Sequence, residues 1–344
     1  MALLPGDPVP KFTLPGTAVP RFTFDSAAGR YLVVAFVRAD GAEAAADVIR
    51  ARPRTFDDVQ ASAFIVVVGE DRERARRCDV IPGLRFLFDA EGEAAGLYGA
   101  ETDCWLLIDP ALHLLAMERS DQAERMADQV AGLAPPSSHG GFEGQAPVLM
   151  TPRIFEPEFC KALIEAYRRQ GGQPSGVMRQ FGEETRLVMS PDFKRRSDVI
   201  LEDGDLRKGL VARLARRLTP QIEKAFAFAP TRIERYLVAR YDAETGGFFR
   251  PHRDNTTVAT RHRRFAVSIN LNEDYDGGDL RFPEFGMRTY RPPPGGACVF
   301  SCSILHEATA VTRGERFAFL PFVHDEAAEK VRRENEGALA PVAG

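Results

Sequence analysis

The segment Phe249-Arg-Pro-His-Arg-Asp-Asn255 places an imidazole, His252, and a carboxylate, Asp254, two residues apart. In an extended backbone, residues i and i+2 point to the same side of the strand. The pair can therefore offer two ligands to one metal ion from a single short segment. A third ligand must then come from elsewhere in the chain, which contains six histidines in all.

The third candidate ligand is His306, which lies in Ser303-Ile-Leu-His-Glu-Ala308, shortly after the apolar run Ala297–Phe300. Two histidines and one carboxylate on one face of an octahedral ion form the ligand set of non-heme Fe(II) oxygenases. Three coordination positions then stay open, of which an α-keto acid can fill two and O2 the third. The sequence therefore predicts His252, Asp254 and His306 as both the metal ligands and the catalytic residues.

Arg316, in Arg313-Gly-Glu-Arg316, is the candidate contact for the distal carboxylate of such an α-keto acid. Its planar guanidinium can bind a carboxylate through two parallel hydrogen bonds, and a strand that returns past the metal would place it correctly. Taken singly, these residues have simpler interpretations, because HxD segments, strand-end histidines and surface arginines are all common. The order of the four residues within one β-rich region favours the metal site.

The first part of the chain differs in character from the region around these residues. Proline, glycine and serine dominate residues 134–147, which are typical of a linker. Before this linker, short apolar runs alternate with helical segments, as in a three-layer α/β domain. The predicted strands and helices are Tyr31–Val37, Phe64–Val68, Trp105–Ile108 and Leu112–Ala116, with Ala42–Val59 and Asp121–Leu133.

After the linker, two helices precede a long β-rich region. Pro157 begins the first helix and Gly171-Gly172 ends it, while the second follows Asp205 with leucines at i, i+4 spacing. From Arg235 onward, glycine and proline separate short apolar strands, as in a sandwich or jelly roll. The predicted strands are Tyr236–Tyr241, Phe265–Leu271, Leu280–Phe282, Ala297–Phe300 and Arg316–Phe322.

Composition excludes several broad classes of protein. The chain has 344 residues, of which 44% are hydrophobic and 27% charged, and its formal net charge is −4. Neither part is basic enough for a nucleic-acid-binding body, no apolar run could span a bilayer, and the N-terminus lacks a secretory signal. Five cysteines without a CxxC pair are typical of a reduced protein. We therefore expect a cytoplasmic protein that binds neither nucleic acid nor membrane.

Residues 148–330 resemble the prolyl 4-hydroxylase-type, PKHD-like Fe(II)/2-oxoglutarate-dependent dioxygenases. The matching stretches are Arg240-Tyr241, His252-Arg-Asp254, Ser268-Ile-Asn-Leu-Asn272, Gly277-Gly-Asp-Leu-Arg-Phe282 and Leu305-His-Glu-Ala-Thr-Ala-Val-Thr-Arg-Gly-Glu-Arg316. The resemblance implies an α+β double-stranded β-helix, or jelly roll, with flanking helices. It also implies that Fe(II) binds the His-Asp-His set, that Arg316 binds the C5 carboxylate of 2-oxoglutarate, and that Tyr241 hydrogen-bonds this co-substrate.

The same resemblance implies a reaction that consumes 2-oxoglutarate and O2, releases succinate and CO2, and hydroxylates a C–H bond of the substrate. Peptidyl proline, a free amino acid and a small metabolite remain open as substrates, and ascorbate dependence is a family expectation. Asn270 matches a position that contacts the co-substrate in some relatives. Phe322 stands where nucleic-acid demethylases of the superfamily carry a second arginine, which argues against a repair enzyme. A protein of this fold that binds a ligand without turnover, as a sensor or scaffold, is the alternative.

Residues 1–133 resemble thioredoxin-like proteins, and peroxiredoxins in particular. The matching stretches are Gly6-Asp-Pro-Val-Pro-Lys-Phe-Thr-Leu14, Leu32–Val37 and Leu107-Ile-Asp-Pro110. The resemblance implies an α/β domain whose peroxidatic cysteine would stand near Ala42–Ala46. No cysteine precedes Cys78, so we expect a peroxidase-inactive domain that serves packing, partner binding or homodimerisation. A thiol peroxidase that uses Cys78 is a further alternative.

Together these observations predict a two-domain chain. Its parts are a peroxiredoxin-like domain at 1–133, a linker at 134–147, a dioxygenase domain at 148–330 and a C-terminal tail at 331–344. This layout places every candidate ligand in the second domain, whose substrate is expected to be a small molecule or a peptide.

Overall fold

The computed structural model describes residues 3–100, 103–202 and 204–340. The chain divides into two compact units, and the main boundary between them lies between residues 146 and 147. Residues 282–288 group with the first unit, although the sequence predicts them within the second domain. Within that unit, Gly29 lies directly against Pro283, too close for any larger residue at position 29.

The first unit is built on a five-stranded sheet whose central strand, Tyr31–Val37, is buried along its whole length. A continuous apolar run is typical of a strand that is covered on both faces. Ala61–Val68 and then Leu84–Asp89 extend the sheet in parallel on one side. Cys104–Ile108 and then Leu114–Arg119 extend it by antiparallel pairing on the other side.

The remaining elements of this unit complete the predicted thioredoxin-like α/β fold. They are the helices Ala42–Arg50, Glu93–Tyr98 and Ala123–Ala131 and the two-stranded ribbon of Thr13–Leu14 with Phe22–Thr23. The strand Leu84–Asp89 and the helix Glu93–Tyr98 are not predicted from the sequence. Both contain few of the β-branched or periodic apolar residues that identify such elements from local pattern alone.

Helix Ala42–Arg50 begins where a peroxidatic cysteine would stand after the central strand, and its residues include no cysteine. The first cysteine of the chain, Cys78, is exposed and follows the short helical turn Arg74–Arg76. Its Sγ donates a weak hydrogen bond to the carbonyl oxygen of Arg76 at 3.7 Å. The unit therefore has the peroxiredoxin-like framework without a thiol at the reactive position.

The second unit is a double-stranded β-helix made of a larger and a smaller sheet. The path of the larger sheet runs through Arg232–Glu234, Phe322–His324, Phe265–Asn270, Val311–Phe319, Leu237–Asp242, Ser197–Ile200 and Gln173–Pro174. Three further strands attach to it, namely Ala297–Ser301, Leu149–Thr151 and Tyr275–Gly277. The smaller sheet runs through Lys194–Arg195, Phe248–His252, His306–Ala308, Leu280–Arg281 and Thr289–Tyr290. A separate hairpin is formed by Val177–Phe181 and Glu184–Val188.

Flanking helices cover the larger sheet, as the resemblance implied. They are Pro157–Gln170, Asp205–Arg213, Thr219–Phe226 and Glu326–Glu334. A π-helical segment, Leu214–Leu218, joins the second helix to the third, so the single predicted helix is wound in three parts. The last helix runs across residue 330, where the sequence predicts the start of the C-terminal tail. No helix of the described residues is long and apolar enough to cross a bilayer.

The strands of the larger sheet present different chemistry on their two faces because successive side chains alternate. Val238 and Phe317 pack into the cluster that includes the helices. Their neighbours Ala239 and Tyr241 instead pack with Ala308 of the smaller sheet. Ala239, Tyr241 and Ala308 therefore line the interior between the two sheets, and the candidate site lies in this interior.

Candidate active site

Strand pairing brings the two candidate histidines together. His252 ends one strand of the smaller sheet, His306 begins the next, and the two residues are direct pairing partners. The backbone N–H of Asp254 donates to the carbonyl oxygen of Cys302 at 3.0 Å, which ties the loop after His252 to the segment before His306. Ligand atoms of the three residues lie within 4.8 Å of one another, a cluster unique among the described residues.

The two imidazoles are turned so that the same nitrogen of each faces the carboxylate. Nε2 of His306 lies 3.3 Å and Nε2 of His252 lies 3.6 Å from the oxygens of Asp254. The Nδ1 atoms are 2.7 Å and 3.0 Å from the carbonyl oxygens of Arg250 and Ile304. Because a carbonyl oxygen only accepts, each Nδ1 carries a proton, which leaves Nε2 as the nitrogen of each ring that faces a metal. A hydrogen bond from the second ring nitrogen orients metal-binding histidines in this way.

The protonation states of the site also suit metal binding. Burial holds the pKa of His252 well below its ordinary value, and the neighbouring His306 lowers it further. Burial by itself would raise the pKa of Asp254, but the two histidines outweigh burial and leave this pKa below its usual range. A neutral imidazole therefore lies beside an ionised carboxylate, and these are the forms in which both groups bind metals.

A buried ion pair supports the loop that carries Asp254. Arg263 donates to the carboxylate of Glu234 from Nε at 2.9 Å and from Nη2 at 2.5 Å. Its Nη1 donates to the backbone carbonyl oxygen of Asp254 at 3.3 Å. Glu234 also accepts from Nε2 of His262 at 2.7 Å. Arg263 therefore fixes the backbone of a candidate ligand, in the way that outer partners orient ligands in other metal sites.

Arg316 and Tyr241 are direct pairing partners in the larger sheet. Arg316 is 2% exposed, and its guanidinium carbon lies 5.3 Å from the centre of the Tyr241 ring. Its Nη2 donates to neutral acceptors, Oγ of Ser268 at 2.9 Å and Oδ1 of Asn270 at 3.0 Å. Within the described part of the chain, Arg316 forms no ion pair with a carboxylate. A buried cation that lacks an anionic partner is a ready site for one.

Asn270 holds Arg316 and has no remaining amide donor for a ligand. Its Nδ2 donates to Tyr275 and to the carbonyl oxygen of Pro292, each at 2.8 Å, while its Oδ1 accepts from Arg316. The sequence offered Asn270 as a co-substrate contact, and the hydrogen bonds indicate instead that it orients the arginine.

The residues present fit Fe(II) and an α-keto acid. Two imidazoles and one carboxylate converge from one side, as in the facial triad of non-heme iron sites. Arg316 supplies a buried guanidinium of the kind that binds a carboxylate through paired hydrogen bonds. The four residues predicted from the sequence as ligands and carboxylate contact thus line one interior, together with Tyr241.

The remaining candidates have structural partners. His262 and His324 bond to Glu234 and Glu329 through Nε2, at 2.7 Å and 2.9 Å. Cys298 is fully buried, and burial raises its pKa to about 12. This thiol stays protonated at neutral pH and packs as a small apolar side chain.

Sequence reasoning missed a second polar group beside the site, formed by Ser175, Lys194, Arg196 and Asp198. The i, i+2 spacing of Arg196 and Asp198 was a usable signal, since it places a cation and a carboxylate on one face of a strand. Lys194 carried no such signal, because its burial depends on pairing with the strand that ends at His252.

Comparison with known proteins gives matches for both units. A family model described as the 2OG-Fe(II) oxygenase superfamily matches residues 236–324. A PKHD-type hydroxylase of Shewanella frigidimarina is 30% identical over 195 residues, which cover 53% of this chain and 81% of that protein. A PKHD-type hydroxylase of Synechococcus is 29% identical over 141 residues, 39% of this chain. That match spans 60% of the length of the Synechococcus protein.

Solved structures resemble each unit separately. A prolyl-4-hydroxylase of Pseudomonas putida is 19% identical with a TM-score of 0.42, covering 53% of this chain and 94% of that one. A peroxidoxin of Mycobacterium tuberculosis is 21% identical with a TM-score of 0.33, covering 38% of this chain and 95% of that one. By its sequence relationship to the PKHD-type hydroxylases, and with a His-Asp-His cluster inside a double-stranded β-helix, the chain belongs to the 2OG-Fe(II) oxygenase superfamily.

Proposed function

We propose that the protein is an Fe(II)- and 2-oxoglutarate-dependent dioxygenase that hydroxylates a C–H bond of a small-molecule or peptide substrate. The observation that carries the proposal is Arg316, a buried cation without a carboxylate partner in the described chain, in the same interior as the His-Asp-His cluster. A bound 2-oxoglutarate would bring the missing negative charge. Leaving a buried charge uncompensated is costly, so anion binding at Arg316 is strongly favoured.

Each residue has a defined part in this proposal. His252, Asp254 and His306 hold Fe(II), whose chemistry with O2 oxidises 2-oxoglutarate to succinate and CO2 while one oxygen atom enters the substrate. Arg316 binds the C5 carboxylate, and Tyr241 covers the co-substrate and offers its hydroxyl as a hydrogen-bond donor. The apolar interior around Tyr241 excludes water from the bound co-substrate.

The decisive experiment is an anaerobic titration of the full chain with Fe(II) and 2-oxoglutarate. We expect the weak visible charge-transfer band of an Fe(II)–α-keto acid chelate, and its loss in an Asp254→Ala variant. His113→Ala provides the matched control, because His113 lies in the first unit and pairs with Asp109. Absence of the band in the wild type, or its persistence in Asp254→Ala, would overturn the proposal.

Aerobic turnover separates an enzyme from a non-catalytic sensor or scaffold. If iron and 2-oxoglutarate bind but no substrate pool yields succinate, the ligand-binding alternative is favoured. The first unit is proposed as a peroxidase-inactive domain. Its role in homodimerisation, the use of ascorbate and a cytoplasmic location stay predictions.

A further inference from the structure

A buried group of polar residues lies next to the candidate metal site. The proposed function assigns none of these residues to Fe(II) or to 2-oxoglutarate. We define the Lys194 cluster as Ser175, Lys194, Arg196 and Asp198. Lys194 is 7% exposed and Arg196 is 9% exposed, while the carboxylate side chain of Asp198 is 12% exposed. Two basic side chains and one carboxylate are thus held together away from bulk water.

The hydrogen bonds inside the cluster give its two basic side chains different partners. Arg196 pairs with Asp198 at 2.6 Å, and Ser175 Oγ donates to the same carboxylate oxygen at 2.5 Å. Among the described residues, the acceptors of Lys194 Nζ are both neutral: Ser175 Oγ at 2.6 Å and the carbonyl oxygen of Gly176 at 2.8 Å. The one carboxylate of the cluster is therefore matched to Arg196, and among the described residues Lys194 has no carboxylate partner of its own.

Two buried atoms of the cluster also lack hydrogen-bond partners. Within the part of the chain that the structure describes, Nε of Arg196 and Oδ1 of Asp198 make no hydrogen bond. Native proteins satisfy nearly all buried polar atoms, so such atoms mark places where a ligand or water completes the structure. Burial, and next the charge of Arg196, hold the pKa of Lys194 well below its ordinary value. An anion placed beside Lys194 would restore its charged form.

The cluster adjoins both parts of the candidate active site. Lys194 is the strand partner of Phe249, and its Nζ lies 4.8 Å from the centre of that ring. The same ring stacks on the imidazole of His252, with centres 3.4 Å apart. On the other side, Nη1 of Arg196 reaches the hydroxyl of Tyr241 at 3.4 Å. The cluster therefore lies within reach of a molecule bound beside the metal and the co-substrate.

We infer that Lys194 and Arg196 form a subsite for a carboxylate of the substrate, so that the substrate is an acid and not a neutral internal residue of a peptide. The inference rests on the proposed function. In that function Arg316 takes the distal carboxylate of 2-oxoglutarate, so the buried donors of Lys194 and Arg196 are left for a second anion, which would hold Lys194 in its charged form. A free amino acid or another small carboxylic acid fits this requirement, and so does an acidic side chain within a peptide.

Matched pairs of probes test the charge requirement on the wild-type full chain. Each free L-amino acid is compared with its primary amide, and N-acetylated peptide amides with an aspartate are compared with the same peptides carrying asparagine. Succinate release at saturating 2-oxoglutarate is the readout. We expect at least one acid to raise succinate release, with its amide at least tenfold less effective in kcat/KM. The pair in which the acid is more effective than its amide shows whether the carboxylate belongs to a free amino acid or to an acidic side chain of a peptide.

Variants then assign the requirement to Lys194. Lys194→Met is expected to raise the KM for the acid about 10- to 100-fold, the usual effect of losing a charge-assisted hydrogen bond, and Lys194→Arg to recover much of it. The Kd values of Mn(II) and of 2-oxoglutarate, measured by calorimetry, are expected to change less than twofold. Lys208→Met is the matched control, since Lys208 is exposed and pairs with the exposed Asp205.

Three results would overturn the inference while leaving the proposed function intact. They are equal turnover of acids and amides, no acid that raises succinate release above the substrate-free rate, and a Lys194→Met variant whose affinity for 2-oxoglutarate falls instead. The wild-type comparison of acids and amides stands even if Lys194→Met folds poorly. Failure of Mn(II) or 2-oxoglutarate to bind the wild type would instead refute the proposed function.

Discussion

Glu234→Gln should lower both the free energy of unfolding and the affinity of the site for a metal ion. Glu234 is largely buried, and its side chain is 17% exposed. Burial by itself would raise its pKa, but Arg263 and His262 outweigh burial, so the carboxylate stays ionised. The substitution keeps the shape of the side chain and removes its charge. Arg263, which is 8% exposed, would then lose the carboxylate with which it is paired, next to Asp254.

The size of the effect follows from burial. Removing one partner of a buried ion pair costs roughly 3–5 kcal/mol of unfolding free energy, and glutamine still accepts a hydrogen bond, so about 3 kcal/mol is expected. Outer partners of metal ligands typically contribute about 10- to 100-fold in metal affinity. Glu326→Gln is the matched control because Glu326 pairs with Arg232 at 2.8 Å but is 61% exposed. A surface pair of this kind contributes about 0–1 kcal/mol.

Urea unfolding gives the loss of stability, and calorimetry with Mn(II) gives the metal affinity. We expect Glu234→Gln to lower both and Glu326→Gln to leave the affinity of wild type. Equal losses of stability in the two variants would refute the reasoning from burial. Undiminished Mn(II) affinity in Glu234→Gln would show that the Arg263 contact does not position Asp254.

Three further predictions concern other parts of the chain. Arg316→Gln should raise the Kd of 2-oxoglutarate about 100-fold or more, because two charge-assisted hydrogen bonds are lost, and Mn(II) affinity measured by calorimetry should stay within twofold. The hydrogen bond from His324 lowers the pKa of Glu329 from 4.5 to about 2. Its stabilising effect is therefore present above pH 4.5 and is lost as the pH falls towards 2; thermal unfolding of Glu329→Gln should show a smaller loss over this range. Cys78→Ser should leave peroxide consumption at the wild-type level, and a clear fall would instead support a thiol peroxidase.

The local sequence pattern was sufficient to predict much of the fold. The continuous apolar run Tyr31–Val37 is a buried central strand, as its composition predicts. The spacing of His252 and Asp254 directs both side chains towards one point, which needs no information beyond an extended backbone. The absence of cysteine before Cys78 is likewise read directly from the sequence, and it is the basis for predicting that the first unit is peroxidase-inactive.

The sequence pattern did not predict elements whose apolar residues follow no clear helix or strand period. Leu84–Asp89 mixes charged and aromatic residues, and its burial comes from pairing with Ala61–Val68. The segment 282–288 groups with the first unit although it lies between two strands of the second. Short-range periodicity carries no information about such placements, because they depend on contacts between residues far apart in the chain.

The sequence by itself determined which residues could hold the metal and the co-substrate, and that no cysteine precedes Cys78. Only the tertiary structure decided that His252 pairs with His306 and Tyr241 with Arg316. It also decided that Lys194 is buried with neutral partners. Residue type and spacing fix the chemistry that a side chain can offer. Burial and the balance of charge depend on pairing between distant strands, and these decide which cations are left for a ligand.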